Sequence, residues 1–390
     1  MGGGAALGEG EEKVTAEKAA AAPPADAAAP PSATVWIVTA NRGFGKAAES
    51  EWHRLFGKSK TKRLSPGDVL RIETPHARAE VLRRLRERPP VFIRHVHPAD
   101  AVIEPGSREE TLRAVAAAAA AHPLPAPGAK TAVQARKAEG ARAPRVDLSP
   151  IDVKRAVDGV LAERGAVPVV GGMEFVVSVY LTADAVYMGW STPEENLSSW
   201  SGGAMHFRKE DMAISRAKYK LMEAEAVFGL DFARHRSALD IGAAPGGWTS
   251  YLLEKGLRVT AVDPAEMHPS LRDHPNLTIL RMNAADARFP DGAFDLVVSD
   301  MSWDALRAAD IVKSLLPAAA PGAPVLTTVK LMRGKAFATL RAVEERMAPE
   351  AVLVRAKQLF HNREEMTCLW RRGYVSTQIK MLPNEVGSLT

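Results

Sequence analysis

Between residues 35 and 104 the apolar positions switch repeatedly between two periods. Short β-rich runs occupy 35–39, 68–73 and 91–97, while apolar residues spaced three and four apart occupy 46–56 and 76–87. This alternation predicts a small α/β sandwich. A second unit, 105–203, begins after the turn at Pro105-Gly106 and reads as a helix over 109–121, a strand over 130–136, a helix over 150–163 and strands over 175–181 and 185–190. Ser149 ahead of Pro150 supplies an N-cap and a first-turn proline for the second of those helices, and Gly165 supplies a stop. Residues 191–203, rich in Ser, Gly, Pro and Asn, read as a linker carrying Trp200.

From residue 204 to 390 a third domain is expected, and its pattern is regular. Strands are predicted over 238–242, 258–263, 278–282, 294–300, 324–330 and 352–360, mostly separated by helical stretches. That order predicts a parallel, doubly wound sheet. A last run, 366–371, follows after a short connection and is expected to be an antiparallel strand at the sheet edge. Residues 1–34, by contrast, are Gly, Ala, Pro and Glu with almost nothing large to bury, so a disordered tail is expected there.

Composition adds location and partner. At 390 residues, 46% apolar and 25% charged, the chain is too long for one ordinary core, in line with several units. No apolar run reaches the roughly 20 residues of a membrane helix, and the longest, 114–121, is largely alanine. Cys368 is the single cysteine and no secretory signal is visible, so a reducing, cytoplasmic location is expected. The formal charge is +5, but residues 1–34 carry −3, and the stretch from Arg42 to Asp100 alone carries +7. An excess so local suggests a polyanionic partner.

The chemistry concentrates in the last domain. Asp240-Ile241-Gly242-Ala243-Ala244-Pro245-Gly246-Gly247-Trp248 closes one predicted strand and opens a helix, giving a ligand backbone room and free N–H groups. Asp263 ends the next strand, about twenty residues past the glycines, where a carboxylate can accept from two ribose hydroxyls. No Lys-Ser/Thr follows the glycines to hold phosphates and magnesium, which disfavours an ATPase or GTPase.

This wording resembles the S-adenosylmethionine site of class I methyltransferases, and Ala243 to Trp248 is similar to the FtsJ-like ribose 2'-O-methyltransferases, over roughly residues 215–372. The resemblance implies a Rossmann-like domain, S-adenosylmethionine as cofactor and no obligatory metal. It assigns Asp240, Gly242, Ala243, Pro245, Gly246, Gly247, Trp248, Asp263 and Asp300 to the cofactor, while Asp286 is either the residue for the adenine amino group or a solvated turn aspartate. Lys220, Asp300, Lys330 and Glu364 occur in the order of the family's catalytic tetrad, Lys-Asp-Lys-Glu. Glu365 is the alternative to Glu364, because adjacent strand residues face opposite sides.

A ribose hydroxyl is a poor nucleophile near neutral pH, so a base and tight positioning are required. The expected base is Lys330, its pKa lowered by partial burial and by Lys220. Asp300 and Glu364 would orient it, and Lys220 would stabilise charge developing on the attacking oxygen or steer the adjacent phosphate. Asp300-Met301 is followed by Ser302-Trp303 where the simplest family members have Ala-Pro, so the substrate-facing loop differs. The run His361 to Thr367 and the long N-terminal extension more closely resemble the RlmM-type branch, which acts on a ribosomal-RNA cytidine.

In element order, 105–203 resembles a THUMP RNA-binding domain and 35–104 its ferredoxin-like companion, which implies RNA as partner. Lys130, Arg136, Lys137 and Arg142 are the expected RNA contacts. His95 and His97 share a strand face, but no acidic or cysteine partner stands at a ligand spacing, so no metal is expected. Two rivals remain: a non-catalytic RNA-binding protein that retains the cofactor pocket, and a base or protein methyltransferase on the same fold.

Overall fold

The computed structural model describes residues 1–2, 33–65, 68–123, 126–208, 214–332 and 334–373, so nearly all of the tail expected over 1–34 lies outside the described residues. The first unit runs β1 Thr34–Thr39, α1 Gly45–Phe56, β2 Lys60–Ser65, β3 Val69–Thr74, α2 Arg78–Glu87 and β4 His95–Pro98. Its strands pair antiparallel in the order β2-β3-β1-β4, the ferredoxin-like arrangement of a βαββαβ chain. Trp36, Trp52, Phe56 and Leu85 close its core. Strand β2 was not foreseen: only Leu64 and Ser65 of its six residues are buried, so this polar edge strand shows no alternation to read. The run 91–97 becomes strand only from His95, because the buried Glu51 carboxylate takes the N–H groups of Val91, Phe92 and Ile93 at 2.6, 2.8 and 2.9 Å.

The second unit comprises β5 Ala101–Ile103, α3 Arg108–Ala121, β6 Lys130–Lys137, α4 Pro150–Glu163, β7 Val167–Pro168, β8 Phe175–Leu181 and β9 Val186–Ser191. The sheet order is β5-β9-β8-β6-β7. Strand β5 pairs with β9, so residues 101–103 belong to the second sheet and the boundary expected after 104 moves back to 98–101. Ser149 and Asp152 form a capping box at the start of α4. Tyr180 and Tyr187 pack with Ile37, Leu64 and Val69, joining the first two sheets.

The third unit contains α5 Ala217–Phe228, β10 Ser237–Ile241, α6 Gly247–Glu254, β11 Arg258–Val262, β12 Leu277–Leu280, β13 Leu296–Ser299, α7 Ala305–Leu315, β14 Pro324–Lys330, α8 Ala336–Met347, β15 Ala351–Lys357 and β16 Glu365–Arg372. The order is β12-β11-β10-β13-β14-β16-β15, with the first five strands parallel. The expectation of an antiparallel edge strand is corrected. β16 is antiparallel, but it inserts between β14 and β15, and β15 takes the edge. Burial explains the choice: residues 366–370 of β16 are all buried, whereas β15 leaves Val352 and Val354 exposed. Among the described residues no helix is long and apolar enough to cross a membrane.

The first unit docks directly on the third. Asn41 Nδ2 donates to the carbonyls of Leu359 and Asn362 at 2.7 and 3.0 Å, and Phe337 meets Phe92 edge-on. Lys357 Nζ reaches the carbonyls of Pro90 and Ile93 at 2.9 and 2.6 Å. Burial pushes the Lys357 amine down to about 8, although Glu51 opposes the shift. Lys357→Ala would leave two buried carbonyls and the Glu51 carboxylate without this cation. The expected cost is about 3 kcal/mol of stability, read as a lower urea midpoint at unchanged slope.

Candidate active site

The parallel strands end along one edge, and every catalytic expectation from the sequence lies on it or beside it. Gly242 and Gly246 have φ of 75° and 110°, left-handed values open to glycine, and so turn the chain from β10 into α6. A Cβ on Gly242 would stand 2.6 Å from Met301 Cγ, and one on Gly246 would collide with Leu271. Asp263, just past β11, accepts from the Ala244 N–H at 3.1 Å and the Ala265 N–H at 2.8 Å, which leaves lone pairs on both oxygens. Ala243 is buried, the Pro245 carbonyl accepts from His268 N–H at 2.9 Å, and Asp286 is exposed beyond β12.

Two expected cofactor residues also serve the scaffold. Trp248 is 3% exposed and its Nε1 donates to the Ala217 carbonyl at 2.9 Å. Gly247 leaves room for the start of α5, since a Cβ there would lie 3.0 Å from Ser215 Cβ and 3.1 Å from Lys218 N. Together they seat the amino end of α5 on α6, and Lys220 follows within the first turn.

Lys220 Nζ then meets Asp300 at 3.0 and 3.1 Å and Glu365 Oε1 at 2.7 Å. Burial alone would depress this amine, but the two carboxylates outweigh it and raise its pKa above 10.5, so Lys220 is a fixed cation. Thr328 Oγ1 donates to Asp300 Oδ1 at 2.8 Å. Thr328 was not foreseen, although its position two residues before Lys330 on one strand was a usable signal. The acidic member at Lys220 is Glu365, not Glu364. Glu365 opens β16 directly opposite Lys330 in register, while the Glu364 carbonyl accepts from Leu331 N–H at 2.7 Å. Lys330 itself is exposed, which corrects the expectation of partial burial: it is the last residue of β14 and projects past the sheet.

The family model for FtsJ-like methyltransferases matches residues 213–355. This part of the chain resembles an FtsJ-like methyltransferase domain. Over 201 residues the chain is 34% identical to the ribosomal RNA large subunit methyltransferase M of Methylococcus capsulatus, covering 48% of this chain and 55% of that protein. Against the protein of the same name from Laribacter hongkongensis it is 34% identical over 46% of this chain and 52% of the relative. The chain thus spans about half the length of the curated relatives it matches. Among solved structures, TrmN from Thermus thermophilus aligns over 87% of this chain and 99% of its own, at 16% identity and a TM-score of 0.39.

The FtsJ-like domain fits S-adenosylmethionine, the cofactor its family implies: the two left-handed glycines bare the backbone, and Asp263 keeps acceptor capacity at the next strand end. Asp240 lies beneath the turn, 1% exposed, accepting from Thr249 Oγ1 at 2.6 Å. Burial drives its pKa up to about 7, against 3.8 for a free side chain. A raised carboxylate pKa means the folded state holds a proton that the unfolded state has released, so stability falls as pH rises from 3.8 to about 7. The slope is at most about 1.4 kcal/mol per pH unit. Asp240→Asn is expected to flatten that dependence in thermal melts and to keep an acceptor for Thr249.

The expected RNA contacts of the second unit do not assemble into one patch. Arg136 is corrected: its Nη2 donates to Thr39 Oγ1 at 2.9 Å and its guanidinium lies over Tyr180, so it fastens the first unit to the second. Arg142 pairs with Asp184 at 2.9 Å. Lys130 and Lys137 are exposed at opposite ends of β6. His95 and His97 are buried, and burial holds the His97 ring down at about 3.

Proposed function

We propose that the protein transfers a methyl group from S-adenosylmethionine to a ribose 2'-hydroxyl of structured RNA. The substrate in this reading is large-subunit ribosomal RNA, and the target nucleotide a cytidine. The observation that carries it is the knot of Lys220, Asp300 and Glu365 beside the glycine turn, with Lys330 in register opposite Glu365. The names of the relatives, ribosomal RNA large subunit methyltransferase M, support the RNA class.

When bound, the cofactor supplies an electrophilic methyl on a sulfonium. The chain supplies the rest. Lys330 Nζ, as the neutral amine, takes the 2'-hydroxyl proton as the oxygen–carbon bond forms and the methyl leaves the sulfonium. Lys220, held cationic by Asp300 and Glu365, stands where negative charge gathers on that oxygen. The two carboxylates, with Thr328 behind Asp300, fix the Lys220 ammonium so that no reorganisation is needed at the moment of transfer. The second unit serves as a THUMP-like module that presents the RNA, with Lys130 and Lys137 among its exposed cations.

The test is incubation with methyl-labelled S-adenosylmethionine and total RNA, free or in ribosomal particles, from cells lacking the protein. Label that survives alkali as an uncleaved dinucleotide is the expected result. Label on an alkali-cleavable nucleotide would instead mean base methylation and overturn the ribose assignment. No label on either substrate would overturn the RNA assignment.

A further inference from the structure

A cleft of about 1110 Å³ opens between the ferredoxin-like unit and the FtsJ-like domain. Its lining includes Leu331 and Glu364, the chain neighbours of Lys330 and Glu365, and it shares Leu331 and Met332 with the adjoining hollow that Lys330 lines. One wall carries Arg42, Lys46, Arg54 and Arg94, and the other carries Lys335 and Arg363. Glu364 is the one acidic residue among the described residues that line it.

Several other basic residues of the first unit are paired: Arg71 with Glu73, Arg78 with Asp100 and Glu195, and Arg83 with Glu80 and Glu87. Among the described residues, none of Arg42, Lys46, Lys335 and Arg363 has a carboxylate partner, and Arg54 rests over the Phe337 ring at 3.8 Å. Like charges gathered on two facing walls repel unless an anion lies between them. The cleft therefore holds much of the unbalanced charge that the sequence showed between Arg42 and Asp100.

Further features favour the same occupant. Asn362, 4% exposed and lining the cleft, commits its Oδ1 to Leu359 N–H and Thr367 Oγ1, while its Nδ2 has no partner among the described residues. Helices α1 and α8 both start at this cleft, and neither N-cap residue, Phe44 or Lys335, offers a side-chain oxygen to the free N–H groups. Met332, 54% exposed, adds an apolar surface beside the cations.

We infer that this cleft holds the single-stranded stretch of RNA adjoining the target nucleotide, with its phosphates on Arg42, Lys46, Lys335 and Arg363. The inference rests on the RNA-methyltransferase reading and names how that substrate is gripped. The ferredoxin-like unit then supplies one wall of the active-site approach, beyond any role in carrying the second unit.

The test uses the full chain with Arg42→Glu/Lys46→Glu, two exposed positions outside the catalytic set, and a short fluorescein-labelled single-stranded oligoribonucleotide followed by anisotropy. Kd is expected to rise about tenfold or more, and the slope of log K against log salt to shrink by roughly 1.4, the counterion share of two phosphate contacts. In the methylation assay KM for RNA should rise while kcat and cofactor affinity stay unchanged. Lys60→Glu, on the far edge strand of the same unit, should leave Kd near that of the unaltered chain. An unchanged Kd and salt slope in the double variant would overturn the inference, as would an equal loss with Lys60→Glu. Polyglutamate competing as well as RNA at equal charge would overturn it too. If RNA binds through these residues and no ribose is methylated, the cleft stands and the proposed function falls. If methylation proceeds with unaltered KM in the double variant, the cleft falls alone.

Discussion

Lys330→Ala is expected to lower single-turnover methyl transfer by a factor on the order of 10² to 10⁴, the usual share of a positioned base, while cofactor affinity stays at the wild-type value. The separation follows from placement. Lys330 ends β14 and is exposed, opposite Glu365 on the β16 side, whereas the cofactor turn lies on β10 and α6, on the other side of β13. Removing an exposed strand-end side chain should also leave the thermal midpoint nearly unchanged. Wild-type turnover in the variant, with calorimetry showing intact cofactor binding, would remove Lys330 from the mechanism.

Lys220→Ala should be damaging in two ways. Without the ammonium, Asp300 and Glu365 face one another across a largely buried space, so one of them is driven toward its protonated form. Turnover is expected to fall on the order of 10² to 10³, the effect of losing one preorganised group at a developing oxyanion. Stability should drop by roughly 3 kcal/mol, as when one partner is removed from a buried ionic cluster. The sign of the pH dependence is fixed by the raised Lys220 pKa. Its stabilising contribution is complete below 10.5 and lost as pH rises through the higher folded value, so across neutral pH the deficit should change only through the carboxylate left unpaired in the variant, growing as pH rises through that group's raised pKa. A companion Lys220→Met/Asp300→Asn/Glu365→Gln variant should recover most of the stability and none of the activity. Equal activity in the unaltered and Ala forms would show that the knot is only structural.

Some of this was legible along the chain. Helix α4 was bounded to the residue because Ser149, Pro150 and Gly165 act locally, through start and stop signals that involve only near neighbours. The glycine turn was equally readable, since left-handed φ at Gly242 and Gly246 is a demand on single residues. Strand β14 was exact because Pro324 to Val329 form one uncharged, β-prone run that ends at Lys330, whereas β2, β5 and β7 were missed because they are polar or only two to six residues long.

The rest needed tertiary structure. Choosing Glu365 over Glu364 is a question of register, and register is set by β16 pairing with β14 across some forty intervening residues. The roles of Trp248 and Arg136 depended on which face met which neighbour, and residue type does not say that. The cleft is the extreme case: Asn41 reaches Leu359, 318 positions away, to bring one wall against the other. The sequence by itself determined the elements, the turn and the set of reactive side chains, because each is decided by local conformational preference and side-chain chemistry. Strand order, register and the juxtaposition of units came only from the folded molecule, because they are decided by burial between segments that no short window contains.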